Sequence, residues 1–374
     1  MIANIQNLFK EKVFLLSFLL AILPISFIAG NTIINLNIIL ILLTAFTFYK
    51  LSIFKIEYFF LDKLIFAFFL LIIFSGIYND INFYINNYEF SKWKGSFSTT
   101  IKSLAFSRFL IIYIVIRFLY ENKKLNLKLF FVTCALSSLF VSFDIFYQFA
   151  FGKDIFGYVS YGRKMSGPFG DELIAGGYLQ RFSIFSFFLF PLFFEKLIKP
   201  KLIFITLFIF LITFTGIILS GNRMPLLLFC FLITLICLFE KYTRKFFITL
   251  VILFSLIFTI IFKTNDAVKQ NFLSFKSQIY SIAEFFYDEE KKIDDATFYI
   301  KEFSTFYETW LMNKYIGGGI KNFRYNCNER PNISSDFVIN KHMKKRMVCN
   351  MHPHNYYLEV LTETGLVGFF ILIS

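Results

Sequence analysis

The sequence predicts an all-α polytopic membrane protein, and three observations carry that prediction. The chain is 57% hydrophobic with a mean hydropathy of +0.64, more apolar surface than a soluble domain of 374 residues can bury. Apolar runs long enough to cross a bilayer, roughly 20 residues each, recur along its length. Lys and Arg gather in alternate connections between those runs, the asymmetry that orients membrane helices. The 58 Phe and 20 Tyr are read as part of a bias toward Phe, Ile, Lys and Asn and receive no functional weight.

Candidate spans lie near 13–30, 32–49, 64–79, 104–120, 129–150, 174–194, 202–219, 225–240 and 246–262. A tenth begins near 355 and is still apolar at Ser374, with no charge, Gly or Pro to mark an exit, so the chain is expected to continue in a longer protein. Lys10 and Lys12 precede the first span. Alternate connections then carry Lys50, Lys55 and Lys63; Lys123, Lys124 and Lys128; Lys196, Lys199 and Lys201; and Lys241, Arg244 and Lys245. With nine spans these fall on one side, which makes that side and the N-terminus cytoplasmic. The opposite connections are 80–103, 151–173, 220–224 and 263–353, three of which also hold Lys. The net charge of +13 therefore reads as topology, with the bilayer as partner, and does not point to nucleic acid. The first apolar run lacks a small-residue cleavage site and is followed at once by another span, which argues against a signal peptide. Three regions result: 1–262 with nine spans and short loops, a loop or insertion at 263–353, and the start of a tenth span at 354–374.

The 263–353 segment places polar and charged residues at helical spacing, as in Phe285-Phe286-Tyr287-Asp288-Glu289-Glu290 and Thr305-Phe306-Tyr307-Glu308-Thr309-Trp310. Helices lying over the membrane face are expected there, their apolar sides packed on the spans or open to lipid and partners. Cys134, Cys230 and Cys237 sit inside apolar runs and read as inert core residues. Cys327 and Cys349 are the two cysteines of the long segment. In an oxidising compartment they can pair, closing a loop worth roughly 3 kcal/mol in the chain-entropy account; the alternative is two free thiols.

Four polar clusters share the side opposite the cytoplasm. The first runs from Tyr161 through Arg163, Gly-Pro-Phe-Gly at 167–170, Asp171 and Glu172 to Gly176-Gly177-Tyr178-Leu179-Gln180-Arg181. Arg181 falls about two turns inside an apolar run, where a charge costs on the order of 2.5–3.5 kcal/mol, so it should face a polar cavity. The plainer readings are that Arg163 snorkels and that Arg181 pairs with Asp171 or Glu172. The second cluster is the tight turn Ser220-Gly221-Asn222-Arg223-Met224-Pro225, with Pro suited to the first turn of the next helix. Arg223 is either a solvated turn residue or a phosphate holder, a task its planar fork suits. The third is Gly317-Gly318-Gly319, where amides can approach an anion or merely form a loop. The fourth is His352-Pro353-His354-Asn355, set nine residues ahead of Gly365-Leu-Val-Gly368 at the lip of an apolar run. A polar imidazole there must be hydrated, paired or used; it is either a helix-cap histidine or a reactive one. No Asp, Glu or Cys set at ligand spacing completes a metal site with it.

These residues resemble the O-antigen ligase/polymerase superfamily of bacterial inner membranes, whose shared pattern is His-Asn/Ser/Gln, nine residues, Gly-x-x-Gly. Here that is His354-Asn355 to Gly365 and Gly368, matched without a gap. The family's arginine turn (Arg, three residues, Leu) matches Arg223 and Leu227, and Gly-Pro-Phe-Gly followed by Tyr-Leu matches a family loop with Arg163 as its arginine. The resemblance covers about 100–374, and family members carry further spans beyond that region.

What the resemblance implies is a GT-C-like helix bundle and an inverting glycosyltransferase needing neither metal nor cofactor. Its donor would be an undecaprenyl-diphosphate-linked glycan, its acceptor a lipid A–core sugar hydroxyl or another glycan, and its site periplasmic. His354 would be the base, since imidazole titrates near the working pH. Arg223, with Arg163 or Arg181, would neutralise the leaving diphosphate. Asn355 would orient the imidazole or cap its helix, and Gly365 and Gly368 would allow close packing. Ligase and polymerase branches share the motif. A lipid-linked glycan transporter or flippase would need similar cations but also internal repeats and paired broken spans, and the sequence shows no repeat. A non-catalytic scaffold would explain the helices but not the polar His and arginines.

Overall fold

The computed structural model describes residues 2–86, 97–160, 164–188, 199–239, 247–287, 298–323, 326–327 and 355–374. The fold is helical, with no strand among these residues. Helices stand at nine of the ten expected span positions: α1 (Ile2–Ala21) with α2 (Leu23–Ala29), α3 (Asn31–Tyr49), α4 (Phe60–Asn86), α5 (Ser98–Phe106) with α6 (Arg108–Glu121), α7 (Leu127–Phe151), and, past the 174–194 position, α9 (Lys199–Leu219), α10 (Arg223–Phe239), α11 (Phe247–Thr264) and α14 (Tyr356–Ile373). The 174–194 position differs. It holds an eight-residue helix, α8 (Ala175–Phe182), that tightens into 3-10 turns over Ser183–Phe188 as the Ser186 hydroxyl bonds back to the Ser183 carbonyl. The long segment contributes α12 (Asp266–Tyr287) and α13 (Phe298–Leu311).

Among the described residues, six helical stretches are long and apolar enough to cross a membrane. A seventh results if Ile248–Thr264 and Asp266–Glu284, bent by 104° at Asn265, are one broken span. The bend has a local cause: the Asn265 side chain accepts from the Val268 amide at 2.8 Å, the N-cap contact that starts a new helix.

The chain divides into two compact units, residues 1–53 with 118–275 and residues 54–117 with 276–374. In the first, α7 is the central helix. Its buried positions, among them Phe131, Cys134, Ser138, Val141, Ser142, Ile145 and Gln148, recur every three or four residues and cover more than one face. It packs on α1, α8 and α9. Asn126 caps its start by accepting from the Lys128 amide, and Gly152, in the left-handed region at φ 77°, ends it. Small residues let the neighbours close in: a side chain at Gly216 of α9 would meet Leu179 at 3.0 Å and Ser142 at 3.1 Å. Hydroxyls and amides complete the contacts, with Thr133 donating to the Ala21 carbonyl at 2.6 Å and Asn37 to Leu19 at 3.2 Å.

In the second unit α4 is the organiser. A side chain at Gly76 would collide with Ser103 of α5, so the two helices pack backbone to side chain. Asp80 caps α5 by accepting from the Thr100 amide and hydroxyl, both at 2.7 Å. At the other end, buried Asp62 accepts from the Phe59 amide at 2.7 Å, from the Tyr113 hydroxyl, and from Arg117 at 2.5 Å. Arg117 also donates to the Glu57 carbonyl and lies over the Phe59 ring.

That buried pair yields a stability prediction. Arg117→Met strips the cation from the fully buried Asp62 carboxylate, a change expected to cost about 3–5 kcal/mol. The detergent-solubilised protein should melt several degrees lower. Adding Asp62→Asn, which still accepts from Phe59 and Tyr113 without a charge, should recover most of the loss. A single variant that melts with the wild type would show the pair to be dispensable.

Candidate functional site

Two of the four polar clusters meet in the first unit, and α7 arranges the meeting. Asp144 and Gln148 lie one turn apart near its C-terminal end, both fully buried. Asp144 accepts from the Ile155 amide at 2.9 Å, while Gln148 accepts from the Gly167 amide at 3.0 Å and donates to the Tyr158 carbonyl at 3.2 Å. Asp154 tightens the same loop by accepting from the Tyr158 amide at 2.6 Å. The 152–170 connection is thus tied down by side chains from an otherwise apolar helix. It reaches the 220–222 turn, where the Met165 amide donates to the Ser220 carbonyl. Gly176 completes the approach, since a Cβ there would come within 2.5 Å of the Ser220 hydroxyl and 2.8 Å of Asn222.

The result is a cavity of about 480 Å³ whose wall includes Arg181, Glu172, Asn222, Asn31, Tyr158 and Phe169. Gly-Pro-Phe-Gly forms part of it, its Phe169 ring packed 5.3 Å from Tyr178. Tyr178 anchors α8 by donating to the Pro24 carbonyl at 2.9 Å, at the break between α1 and α2. Arg181 sits in the last turn of α8 with its side chain exposed, and among the described residues it has neither an ion-pair nor a hydrogen-bond partner. The expected cavity is present, and the plainer expectation of a pair with Asp171 or Glu172 is not what the geometry shows.

Arg223 opens α10 at the same turn, half-buried rather than solvated. Its Nε and Nη2 donate to the Asn271 side-chain oxygen at 2.9 and 2.6 Å, Nη2 also donates to the Ser274 hydroxyl at 2.7 Å, and the guanidinium lies 5.2 Å from the Phe275 ring centre. Asn271 is itself fixed by donating to the Gly221 carbonyl at 2.9 Å. All of these partners come from α12 or the turn.

The other two clusters belong to the second unit. Asn355 is the N-cap of α14, its side-chain oxygen accepting from the Tyr357 and Leu358 amides at 3.0 and 3.2 Å. Nine residues on, Gly365 breaks the helix at φ 67°, ψ −167°. The freed backbone groups are taken up by the glycine run. Gly318 and Gly319 donate to the Thr362 and Glu363 carbonyls at 2.8 and 2.9 Å, and Leu366 donates to the Lys314 carbonyl at 2.8 Å. The approach is close enough that a Cβ on Gly365 would lie 2.2 Å from the Tyr315 carbonyl oxygen, and one on Gly317 would lie 2.4 Å from Glu363. Ser75 and Asn79 of α4 support the contact by donating to the Ile316 and Gly317 carbonyls. The Glu363 carboxylate accepts from the Lys321 amide at 2.6 Å. The triple glycine is therefore the partner of Gly365 and not an anion cradle, because the Gly318 and Gly319 amides are spent on α14 and the Gly317 amide on the Asn313 carbonyl. A Cβ on Gly368 would lie 1.9 Å from the Thr364 hydroxyl of the same helix and 3.2 Å from Leu71 of α4.

Of the residues singled out from sequence, Arg181 lines the cavity and Arg223 is braced beside the turn that contributes to it; Asn355, Gly365 and Gly368 shape one helix. His352, His354, Arg163 and Cys349 lie outside the described residues. Cys327 is buried and disulfide-bonded, so its pairing with Cys349 stands as a proposal. Cys134 and Cys230 are free thiols. The sequence reading missed Asp144 and Gln148, although two polar residues four apart in an apolar run are a readable signal. It also missed Asn271 and Ser274, for which no signal in the sequence existed.

The fold and these sites define a multi-pass, all-α membrane protein with arginines gathered where connections meet. Residues 208–373 match the family model described as O-antigen ligase, which supports the resemblance to the O-antigen ligase/polymerase superfamily and a glycosyl-transfer kind of reaction. The match spans Arg223, Asn271, the glycine run and the Gly-x-x-Gly; Arg181 and the cavity loop precede it. No curated protein and no solved structure matches the chain.

The interlock of Gly365 with the glycine run is open to a direct check. Gly365→Ala combines left-handed strain with a steric clash against Tyr315 and is expected to cost at least about 1–3 kcal/mol, read as a lowered melting midpoint. Gly177→Ala, where an added Cβ meets nothing within 4 Å, should leave the midpoint unchanged or slightly raised. Equal behaviour of the two variants would count against the interlock.

Proposed function

We propose that the protein is an O-antigen-ligase-like glycosyltransferase that moves a glycan from undecaprenyl diphosphate to a lipid A–core sugar hydroxyl at the periplasmic face of the inner membrane. The observation that carries this reading is the cavity of the first unit. A cation with no ion-pair partner among the described residues, Arg181, lines a space whose wall also holds Glu172, Asn31 and Asn222 and is otherwise largely aromatic and apolar, next to the turn on which Arg223 is braced. Such a site suits a ligand with an anionic head and an apolar tail, which is what a lipid-linked diphosphate is. The family match supplies the reaction class.

The chemistry then has three parts. The acceptor hydroxyl oxygen bonds to the anomeric carbon while the bond from that carbon to the diphosphate oxygen breaks. His354 takes the hydroxyl proton, and a positioned base of this kind typically contributes 10²–10⁴-fold. The electron pair leaves on the diphosphate, where Arg223 and Arg181, with Arg163, meet the growing charge. In-line displacement inverts the anomeric centre. Asn355 shapes the helix start that follows the histidine, and a Cys327–Cys349 bridge would restrain the segment leading into it.

The test is the glycan profile of a strain lacking the gene. Full-length glycan stranded on undecaprenyl diphosphate, beside bare lipid A–core, is the expected outcome. Cores capped by single repeat units would assign the polymerase reaction of the same superfamily instead, and an unchanged profile would remove glycosyl transfer to this acceptor. Complementation with Arg223→Ala or His354→Ala should restore less than a hundredth of wild-type transfer, by the magnitude expected of a lost base or charge stabiliser. Full transfer by His354→Ala with loss in Arg223→Ala would reject the base and favour a binding or transport role.

A further inference from the structure

We propose that Glu172 is the specificity-determining residue of the cavity: its carboxylate accepts hydrogen bonds from the sugar joined to the lipid diphosphate, while Arg181 takes the diphosphate itself. The inference rests on the reading of the cavity as the donor site and adds the group that recognises the sugar. The wall holds a guanidinium and a carboxylate, Arg181 and Glu172, yet the two form no ion pair, and neither side chain bonds to a described residue. Opposite charges that can reach each other in a partly apolar space attract strongly, so the backbone must keep them apart. Glu172 is held in the turn after Gly-Pro-Phe-Gly, its amide donating to the Phe169 carbonyl at 3.1 Å and its carbonyl accepting from the Ile174 amide at 2.9 Å. Arg181 stands in the last turn of α8, about 9 Å along the axis from the start at Ala175. Tyr178 fixes α8 by its bond to the Pro24 carbonyl and its packing on Phe169.

The two charges specify a ligand with two unlike ends. A guanidinium only donates and an ionised carboxylate only accepts, so the ligand brings an anionic acceptor to Arg181 and a donor to Glu172. The rest of the wall is carboxamide and aromatic. Asn222 comes close because Gly176 has no side chain, and its Nδ2 donates to the Ser220 hydroxyl at 3.2 Å, which leaves the amide oxygen as a further acceptor. Asn31 opens α3 with its side chain exposed, and Phe27 meets Phe182 edge to face at 5.3 Å. The volume of about 480 Å³ lies within the roughly 300–1,000 Å³ usual for ligand pockets. A glycosyl diphosphate answers each demand: its phosphate oxygens accept, its ring hydroxyls donate, and its C–H faces lie against rings. A diphosphate without a sugar gives Glu172 nothing to accept from and meets its negative charge. The same carboxylate that recognises the donor therefore disfavours the bare diphosphate left after transfer.

The experiment titrates the full chain in detergent with farnesyl diphosphate, with the same diphosphate joined to the anomeric carbon of a hexose, and with monodeoxy versions of that hexose. Glu172→Ala is expected to weaken the hexosyl probe by about 10- to 100-fold, the size of a hydrogen bond to a charged group. It should bind bare farnesyl diphosphate at least as tightly as the wild type does. Glu172→Gln, which keeps an acceptor oxygen, should fall between, and Arg181→Ala should weaken both probes alike. One deoxy probe should lose the same factor against the wild type and nothing further against Glu172→Ala, because the two halves of one contact are not additive. Unchanged hexosyl binding by Glu172→Ala would overturn the proposal. So would an equal loss of both probes with a lowered melting midpoint, which would make Glu172 part of the wall only. A short-chain phosphatidylethanolamine that displaces the hexosyl probe from the wild type but not from Glu172→Ala would overturn it too, assigning the site to an amine-bearing head group. No binding of either diphosphate by the wild type, or no effect of Arg181→Ala, would reject the cavity as donor site and the proposal with it. A loss of selectivity effects at Glu172 alone, with Arg181→Ala still impaired, rejects only the role of Glu172.

Discussion

A polar group carried into an apolar bundle must find its partner inside the protein, because hydrocarbon offers none, and this constraint explains most of how the chain is arranged. α7 is the clearest case. Asp144 and Gln148 are buried in a helix that is otherwise mostly apolar, and both bond to the 152–170 loop. The loop adds contacts of its own, with Asp154 accepting from the Tyr158 amide and the Ser160 amide donating to the Gly152 carbonyl. Its approach to Ser220 and the cavity wall it forms rest on both sets of contacts. A loop held this way can be irregular and still rigid, which is what a ligand site at a membrane face needs.

Close backbone approach is the second recurring device, and it is what gives the Gly-x-x-Gly its spacing. Gly365 is not simply a small residue in a helix interface. It adopts a backbone conformation closed to side chains, and in doing so exposes the carbonyls of Thr362 and Glu363 and the amides of Leu366 and Val367. Groups freed in this way within an apolar helix would be costly, and the 314–319 strip takes them up one by one. Gly317 and Gly319 can lie there because they too sit at positive φ. The two motifs are halves of one joint, which explains why a polar loop and an apolar helix each carry glycines.

What was legible in the sequence followed the strength of its physical signal. Long apolar runs marked where helices stand, although their ends differ, α1 starting at Ile2 rather than near 13 and α4 running to Asn86 rather than 79. The 174–194 run was apolar enough to pass for a straight span, and apolarity says nothing about the shift to 3-10 turns at Ser183. Arg181 was legible because a charge inside an apolar run is costly and must face something polar, and it does. The environment of Arg223 was not, since its partners Asn271 and Ser274 lie some fifty residues on and nothing in their local sequence marks them. The glycine run was ambiguous in principle: amides freed by glycine can serve an anion or another backbone, and only the position of α14 decides between them.

Arg181 and Arg223 illustrate how one residue type serves two ends. Arg181 is exposed to a cavity and has no partner among the described residues, so its desolvation cost is avoided by the water or ligand that fills the space. Arg223 is half-buried, and α12 meets it with an amide oxygen, a hydroxyl and a ring face that together fix its direction. Asp62 and Arg117 do different work in the second unit, where an ion pair ties α4 to α6. Within one chain, then, a carboxylate fixes an arginine between helices, while an amide and a hydroxyl aim one at a connection.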